Sequence, residues 1–405
     1  MDIAIIGGGA SGLFAAVAAA SALPCRVTIY ERQARVGRKL AATGNGRCNL
    51  SNTGVSLSRY HGNDTSFAGY ALDGMNVKST LALFRQLGLE VRTEPDGKIY
   101  PYSDSASSVV DVLRLAADSL GVVTLTDTEI VSMKKEKGKF SFSDGKTKYM
   151  ADRVIVACGG SASAPLGGTD GGYRLLQSMG HRLLPQHPSL VQIKTDTEYV
   201  RSLKGIRADD CRVTLVSGKQ KTESFGEVQF TEYGLSGPAI FDISRSVSVG
   251  KGNMTIFLDL FTPDDEAETV RLLRARRDAF SERPCENYLT GMLQNRLGRV
   301  ILKYAGVSSA MPASALSDDD IRKIAKAIKE FPFAVRGTMG LSKAQVTAGG
   351  IDTSGFDPET MQSRICPGLF ACGEVLDIDG DCGGFNLQWA WSSGYLAGKS
   401  AVANN

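Results

Sequence analysis

Residues 1–12 read Met-Asp-Ile-Ala-Ile-Ile-Gly-Gly-Gly-Ala-Ser-Gly, and they restrict the folding options of this chain more than any other stretch. Ile3, Ala4, Ile5 and Ile6 form an apolar run long enough for one buried parallel strand. Gly7, Gly9 and Gly12 follow at G-x-G-x-x-G spacing, with Ala10 and Ser11 between the last two, and residues 15–23 continue as an alanine-rich helical stretch. The first glycine of such a motif makes a tight turn, and the second lets backbone approach a pyrophosphate. The third allows the helix to pack close to the strand. The helix N-terminus then offers unpaired N–H groups and a positive dipole end to phosphate. A second apolar run, 26–30, ends at Glu31, 19 residues beyond Gly12, where a carboxylate can take both ribose hydroxyls. The stretch reads as a dinucleotide-binding βαβ unit.

With 405 residues the chain exceeds one ordinary core, so two or three structural units are expected. A formal net charge of +3 is small for that length and gives no overall electrostatic case for a nucleic-acid or membrane partner. The eight cysteines form no C-x-x-C pair, and His61, His181 and His187 lack i, i+4 spacing. No metal site is expected, and free thiols in a reducing cytosol are the plain reading. The run Asp377-Ile-Asp-Gly-Asp381 fails as a calcium loop, because its sixth position is Cys382 and its twelfth is Gln388. Residues 13–23 have no basic segment before them and are too short to span a membrane. A cytoplasmic protein follows by default.

After Glu31 and Arg32, residues 36–52 are dense in glycine, amides and cations and poor in core formers. Lys39, Thr43, Gly44, Asn45, Arg47, Cys48 and Asn49 lie here, in a loop suited to a flat polar ring system. Cys48 has no partner cysteine within the next hundred residues, so dithiol exchange is not its role; packing beside a ring is. Residues 76–87 and 106–120 read as helices, and 122–143 with 146–150 as a small β-meander. An apolar strand near 154 runs into Ala157, Cys158 and Gly159-Gly160, which suits a second close approach of backbone to cofactor.

Residues 190–262 are rich in extended segments and suggest a small β-barrel, and 263–343 read as helical. The segment 263–280 starts acidic and ends in Arg271, Arg274, Arg276 and Arg277, an order that complements a helix dipole and reads as a solvated face. From 344 the glycine-and-strand pattern resumes, through Gly373-Glu374 and then Gly383-Gly-Phe-Asn-Leu-Gln-Trp389, which opens a final helix.

These stretches, with Thr231-Glu-Tyr-Gly-Leu-Ser-Gly-Pro238 and Thr347-Ala-Gly-Gly350, resemble the bacterial flavoproteins known as NAD(FAD)-utilising dehydrogenases, or aminoacetone-oxidase-like proteins. They are more distantly similar to the fumarate-reductase type of two-dinucleotide-binding flavoprotein. The resemblance implies an α/β, three-layer Rossmann-like FAD-binding domain in two segments, 1–189 and 344–405. The insert, 190–343, would be a barrel-like plus helical domain covering the flavin. It further implies pyrophosphate at Gly7, Gly9, Ala10, Ser11 and Gly12, ribose at Glu31 and Arg32, and adenine at the backbone near Val131. Lys39, Thr43, Gly44, Asn45, Arg47, Cys48, Asn49, Ala157, Cys158, Gly159, Gly373, Gly384, Phe385, Asn386 and Leu387 would complete the cofactor site, with Glu374 near the ribitol.

The expected activity is hydride transfer between flavin N5 and a small organic substrate. Negative charge that builds on the N1–C2=O2 side would be met by the N-terminus of the last helix. Arg47 and Tyr102 are the candidate substrate-facing groups. NAD(P)H is the expected electron donor, although no second G-x-G-x-x-G with an acidic partner marks a domain for it. An oxygen-using oxidase of a small amine or amino-ketone is the alternative within the class. From another class comes an RNA-modifying or flavin-binding interaction protein, motivated by residues 271–277 with Arg296, Arg299 and Lys303. The sequence leaves the oligomeric state open.

Overall fold

In the computed structural model, which describes residues 1–403, the first strand, Asp2–Ile6, lies at the middle of a five-stranded sheet. Arg26–Tyr30 and then Val123–Leu125 lie to one side, Arg153–Val156 and then Leu369–Ala371 to the other, and every neighbouring pair is parallel. Ile3, Ala4, Ile5 and Ile6 are all at most 4% exposed. A strand covered on both faces has no solvent side to alternate with, hence the unbroken apolar run. Val123–Leu125, read from sequence as part of the meander, instead forms one edge of this sheet. The three-stranded meander itself comprises Ser132–Glu136, Lys139–Ser143 and Lys148–Ala151.

The first helix, Ala10–Ala22, packs along the last one, Phe385–Val402. Their closeness depends on missing side chains: a Cβ on Gly394 would overlap the Ser11 carbonyl, and one on Gly398 the Ala15 carbonyl. Two fully buried indoles then fix the last helix in place. Trp389 Nε1 donates to the Gly373 carbonyl at 3.1 Å, and Trp391 Nε1 to the Leu50 carbonyl at 2.9 Å. Phe14 and Phe84 pack against Trp391 with ring centroids 5.2 Å away. Burial of each such ring stabilises by about 2–3 kcal/mol. The N-terminus of the last helix is thereby anchored to the strand end at Gly373 and to the loop at Leu50.

Residues 1–187 and 344 onward form one compact unit, and 188–343 a second with its own core. The second unit contains a closed antiparallel barrel of six strands: Ile193–Thr195, Gly234–Ser236, Gln220–Phe230, Arg207–Ser217, Met254–Asp259 and Phe331–Thr338. Phe331 and Phe333 alternate into the core. Their strand closes the barrel from within the stretch read as helical, so that reading needs correction at 331–338. The signal is a short Phe-Pro-Phe-Ala-Val run that directly follows a helix, Asp318–Lys329. Helix Pro238–Val249 buries Ile240, Ile243 and Val247 in the same core, and Glu266–Ala279, Asn295–Tyr304 and Asp318–Lys329 add Leu273, Ile301 and Ile324. Ser317 caps Asp318–Lys329 with a reciprocal Ser317–Asp320 capping box.

Candidate functional site

The C-terminal ends of four parallel strands bring the sequence motifs to one edge. Gly7 follows the first strand, Glu31 the second, Ala157-Cys158-Gly159 follow Arg153–Val156, and Gly373-Glu374 follow Leu369–Ala371. In open α/β sheets ligands bind at this edge, where strand order reverses.

The three motif glycines divide their work. Gly7 has φ +107°, and a Cβ there would lie 2.5 Å from the Ala157 carbonyl. A Cβ on Gly12 would overlap the Gly7 carbonyl, so both are required by the protein itself. Gly9 differs: its Cβ would meet nothing within 4 Å, and neither would one on Gly159. Gly9 is also the N-cap of Ala10–Ala22, with no side chain capping that end. Open space beside a bare helix N-terminus fits a pyrophosphate.

Glu31 is tied to this turn. Its Oε2 accepts the Gly8 N–H and its Oε1 the Gln33 N–H, both at 2.8 Å. Arg32 donates to the Gly168 carbonyl at 3.3 Å and pairs with Glu129 at 3.9 Å. Val131 is 55% exposed, and its N–H is given to the Ser143 carbonyl at 2.8 Å. That N–H is spent within the chain, which leaves the carbonyl as the Val131 backbone group open to an adenine.

Lys39 Nζ and Glu374 Oε2 form an ion pair at 2.8 Å, joining residues 335 apart in sequence. The other oxygen of Glu374 accepts the Thr347 N–H at 2.9 Å, and Thr347 Oγ1 accepts the Ala162 N–H at 2.9 Å. Thr347 lies in the quoted T-A-G-G run and was passed over as a site residue. So was Gln388, which is fully buried and donates to Met75 O, Thr80 Oγ1 and Ser392 Oγ while accepting from Ser51 Oγ at 2.7 Å. This network braces the first turn of the last helix against the 50–52 stretch.

The 43–49 loop is wound from left-handed residues: Gly44, Asn45, Gly46 and Cys48 have φ of 57°, 55°, 86° and 61°. Thr43 holds it together, its Oγ1 donating to Leu40 O and its carbonyl accepting the Cys48 N–H. Burial pushes the Cys48 thiol up to about 12, against a hydrogen bond from Thr43 that acts the other way. Cys158 is likewise pushed up to about 12 by burial, with the Glu31 charge adding to it. Neither is a thiolate nucleophile at neutral pH. Asn49 Oδ1 is buried with no hydrogen-bond partner. It faces Gly384, where a Cβ would sit 2.8 Å from it and would overlap the Ser51 carbonyl; Gly384 has φ +102°. A buried, unpaired carbonyl oxygen beside a helix N-terminus suits a ligand that brings a donor, as the N3–H of an isoalloxazine does.

Phe385 is 4% exposed and its carbonyl accepts from Tyr60 OH at 3.1 Å, while Leu387 packs on the core. The Asn386 amide spans Gly380, accepting its N–H at 2.8 Å and donating to its carbonyl at 2.7 Å, so it shapes the loop before the helix. Arg47 does not present a free cation. It pairs with Glu94 and Asp104, each at 2.7 Å, and stacks 4.1 Å above the Tyr100 ring. Tyr102 is 73% exposed on a turn. Neither geometry favours the substrate-facing role expected of these two. The arginines of Glu266–Ala279 are also engaged: Arg274 and Arg277 with Asp318, Arg271 with Glu268, and Arg276 with the Tyr288 and Thr290 carbonyls. Among the described residues no helix is long and apolar enough to cross a membrane.

The HI0933-like protein Rossmann domain matches this chain over residues 1–400. Over 406 residues the chain is 40% identical to the 3-dehydro-bile acid delta(4,6)-reductase of Clostridium scindens, an alignment that covers 99% of this chain and 98% of that protein. It is 28% identical to the ribosomal RNA dihydrouridine synthase of Haemophilus influenzae, across 98% of this chain and 97% of that one. Among solved structures, the 3-ketosteroid-delta4-(5alpha)-dehydrogenase of Rhodococcus jostii RHA1 superposes with a TM-score of 0.52 at 15% identity. That match covers 100% of this chain and 97% of the other, and the likeness is one of fold.

Proposed function

Since the chain belongs to the HI0933-like family of FAD-dependent Rossmann oxidoreductases, matched across residues 1–400, we propose that it is a reductase acting on a carbon–carbon double bond conjugated to a carbonyl. The substrate class is a small, largely apolar organic molecule such as a 3-oxo steroid acid, with NADH or NADPH as the electron source. One observation carries this reading: the end-to-end relationship, at 40% identity, to a reductase of a 3-dehydro-bile acid. The 28% relative points the same way in its chemistry, because making a dihydrouridine also saturates a bond conjugated to a carbonyl.

FAD, when bound, supplies the hydride from N5 of its reduced ring. The chain's part is placement and electrostatics. Gly9 and the bare start of Ala10–Ala22 would hold the pyrophosphate, and Glu31, already oriented by the Gly8 N–H, would take the ribose hydroxyls. The Lys39–Glu374 pair would lie along the ribitol, and its mutual compensation keeps either charge from being stranded when water leaves. Asn49 Oδ1 would accept from the ring edge. The N-terminus of Phe385–Val402 would stabilise negative charge there without reorganising, since Trp389, Trp391 and Gln388 hold the helix rigid.

The test is an anaerobic titration of the flavin-loaded protein with NADH and NADPH in separate cuvettes, followed by a 3-oxo-Δ4 bile acid. The reading expects bleaching of the flavin band and its stoichiometric return on adding the enone. A band that ignores both nucleotides but bleaches with small amines and returns with oxygen would replace the reductase with an oxidase. Turnover confined to RNA would favour the second reading, an rRNA reductase, which the 28% relative supports.

A further inference from the structure

The motif Thr231-Glu-Tyr-Gly-Leu-Ser-Gly-Pro238 lies in the unit 188–343. Within the insert it builds a turn. Thr231 N–H and Oγ1 both donate to the Gly234 carbonyl, at 2.8 and 2.9 Å, and Gly234 N–H returns a bond to Thr231 Oγ1 at 3.1 Å. The turn places Glu232 and Tyr233 on the wall of a cleft of about 690 Å³ at one end of the barrel. Lys194, on the strand Ile193–Thr195, and Arg336, on Phe331–Thr338, share that wall. Arg201 and Lys204 reach it from the short helical turn Val200–Leu203 and the residue after it. A bulge at Lys194/Thr195 breaks the ladder there; bulges re-aim side chains next to binding sites.

The charge balance of the cleft is one-sided. Glu232 pairs with Lys204 at 2.6 Å. Among the described residues Lys194, Arg201 and Arg336 form no ion pair and no side-chain hydrogen bond. The Arg201 charge also acts on Glu232, so the lining sets four cations, Lys194, Arg201, Lys204 and Arg336, against that one carboxylate. By contrast, each arginine of Glu266–Ala279 is matched by an acid or a carbonyl. The cleft is open to solvent, so recognition there falls to its charges, and guanidinium groups match phosphate oxygens bidentately. Tyr233 adds a ring on which a base can stack.

We propose that this cleft in the insert binds a nucleotide through its phosphates. Two sources share that chemistry: the NADPH invoked under the proposed function, in which case the inference rests on that reading, or a separate nucleoside phosphate. The excess of cations over the one carboxylate favours a ligand with more phosphate charge than a lone pyrophosphate, so 2′,5′-ADP and NADPH bind more tightly than ADP and NADH.

The experiment measures binding of 2′,5′-ADP, ADP, NADPH and NADH to the flavin-loaded, full-length protein by calorimetry, at two salt concentrations. It compares wild type with Arg201→Ala, Arg336→Ala and a control, Lys219→Ala, at the tip of the neighbouring hairpin. All three positions are exposed, so folding is preserved, and a thermal melt checks it. The proposal expects salt-sensitive binding weakened about three- to tenfold by each arginine change and not by the control. NADPH as the source predicts that KM for NADPH rises by the same factor while kcat holds. Weakened 2′,5′-ADP and ADP binding with an unaltered KM for NADPH assigns the cleft to a separate nucleotide. No nucleotide binding, or binding indifferent to both arginines, overturns the proposal even if NADPH reduces the flavin normally. Loss of rRNA-fragment retention in the variants, with no nucleotide binding at all, overturns it in favour of an RNA contact. Failure of NADPH to reduce the flavin, with 2′,5′-ADP binding intact and arginine-dependent, overturns the donor reading alone.

Discussion

The Glu31 carboxylate accepts the Gly8 N–H at 2.8 Å, so the acid that ends the second strand and the turn that ends the first are one hydrogen-bonded unit. The turn is thus held in shape before any ligand arrives, and the carboxylate is held in one orientation by two backbone N–H groups. An oxygen that accepts one N–H retains lone-pair capacity for a hydroxyl.

The motif glycines separate stability from binding. Gly9→Ala introduces a methyl into open space, so the melting temperature of the apoprotein stays close to wild type while bound flavin is lost. Gly12→Ala drives a methyl onto the Gly7 carbonyl and costs about 1–3 kcal/mol of stability or more. Thermal melts of apoprotein, paired with absorbance of flavin released on heating, distinguish the two.

Glu374→Gln leaves Lys39 without its counter-charge. Both side chains are partly solvated, at 30% and 20% exposure, so the apoprotein loses only about 1 kcal/mol. The larger effect is on the holoprotein, where water is displaced. Urea unfolding with and without FAD should show a smaller flavin-dependent gain in the variant; an unchanged gain would remove the pair from the cofactor site.

Gln388→Ala leaves Ser51 Oγ without its acceptor in a dry interior, removes the donor to Thr80 Oγ1, which keeps its bond to the Met75 carbonyl, and opens a cavity beside them. The expected loss is about 2–4 kcal/mol. A loss below about 1 kcal/mol would mean that the network orients the helix without stabilising it.

Cys48, Cys158 and Cys372 are all pushed up to about 12 by burial. At pH 8 about one in ten thousand of each is ionised. Iodoacetamide therefore leaves them unmodified in the native holoprotein, and Cys48→Ser retains activity. Mass-spectrometric mapping of the alkylated sites, alongside turnover of Cys48→Ser, checks both statements.

His181 is 4% exposed, stacks on Phe356 at 4.2 Å and shares Nε2 with Ser363 Oγ at 2.9 Å; burial lowers its pKa below the usual 6.5. Below about pH 6.5 the unfolded chain takes up a proton that the folded chain refuses, so stability falls as pH falls. Above that pH the residue adds no slope. Melts of wild type and His181→Asn between pH 5 and 8 should show a flatter acid limb in the variant.

The first strand, the glycine turn, Glu31 and the last helix were legible from sequence because each depends on local chemistry: an apolar run, a backbone that needs missing Cβ atoms, an acid at a strand end. The barrel was legible in the stretches near 191–194, 211–216, 225–230 and 255–261, through alternating extended segments. Its closing strand at Phe331–Thr338 and the short Gly234–Ser236 were not, since the first runs straight on from a helix and the second from a glycine turn, which mask their period. Which charges are spent was decided only by tertiary structure. Arg47, a candidate substrate-facing cation in the sequence, is engaged by Glu94 and Asp104, and Lys194, Arg201 and Arg336, which carry no motif, are gathered only by the barrel. Lys39 meets Glu374 across 335 residues, and Asn49 meets Gly384. Hydrogen-bonding capacity is written in each side chain, but whether it is used inside the chain or left for a ligand depends on partners that only the closed fold brings within about 3 Å.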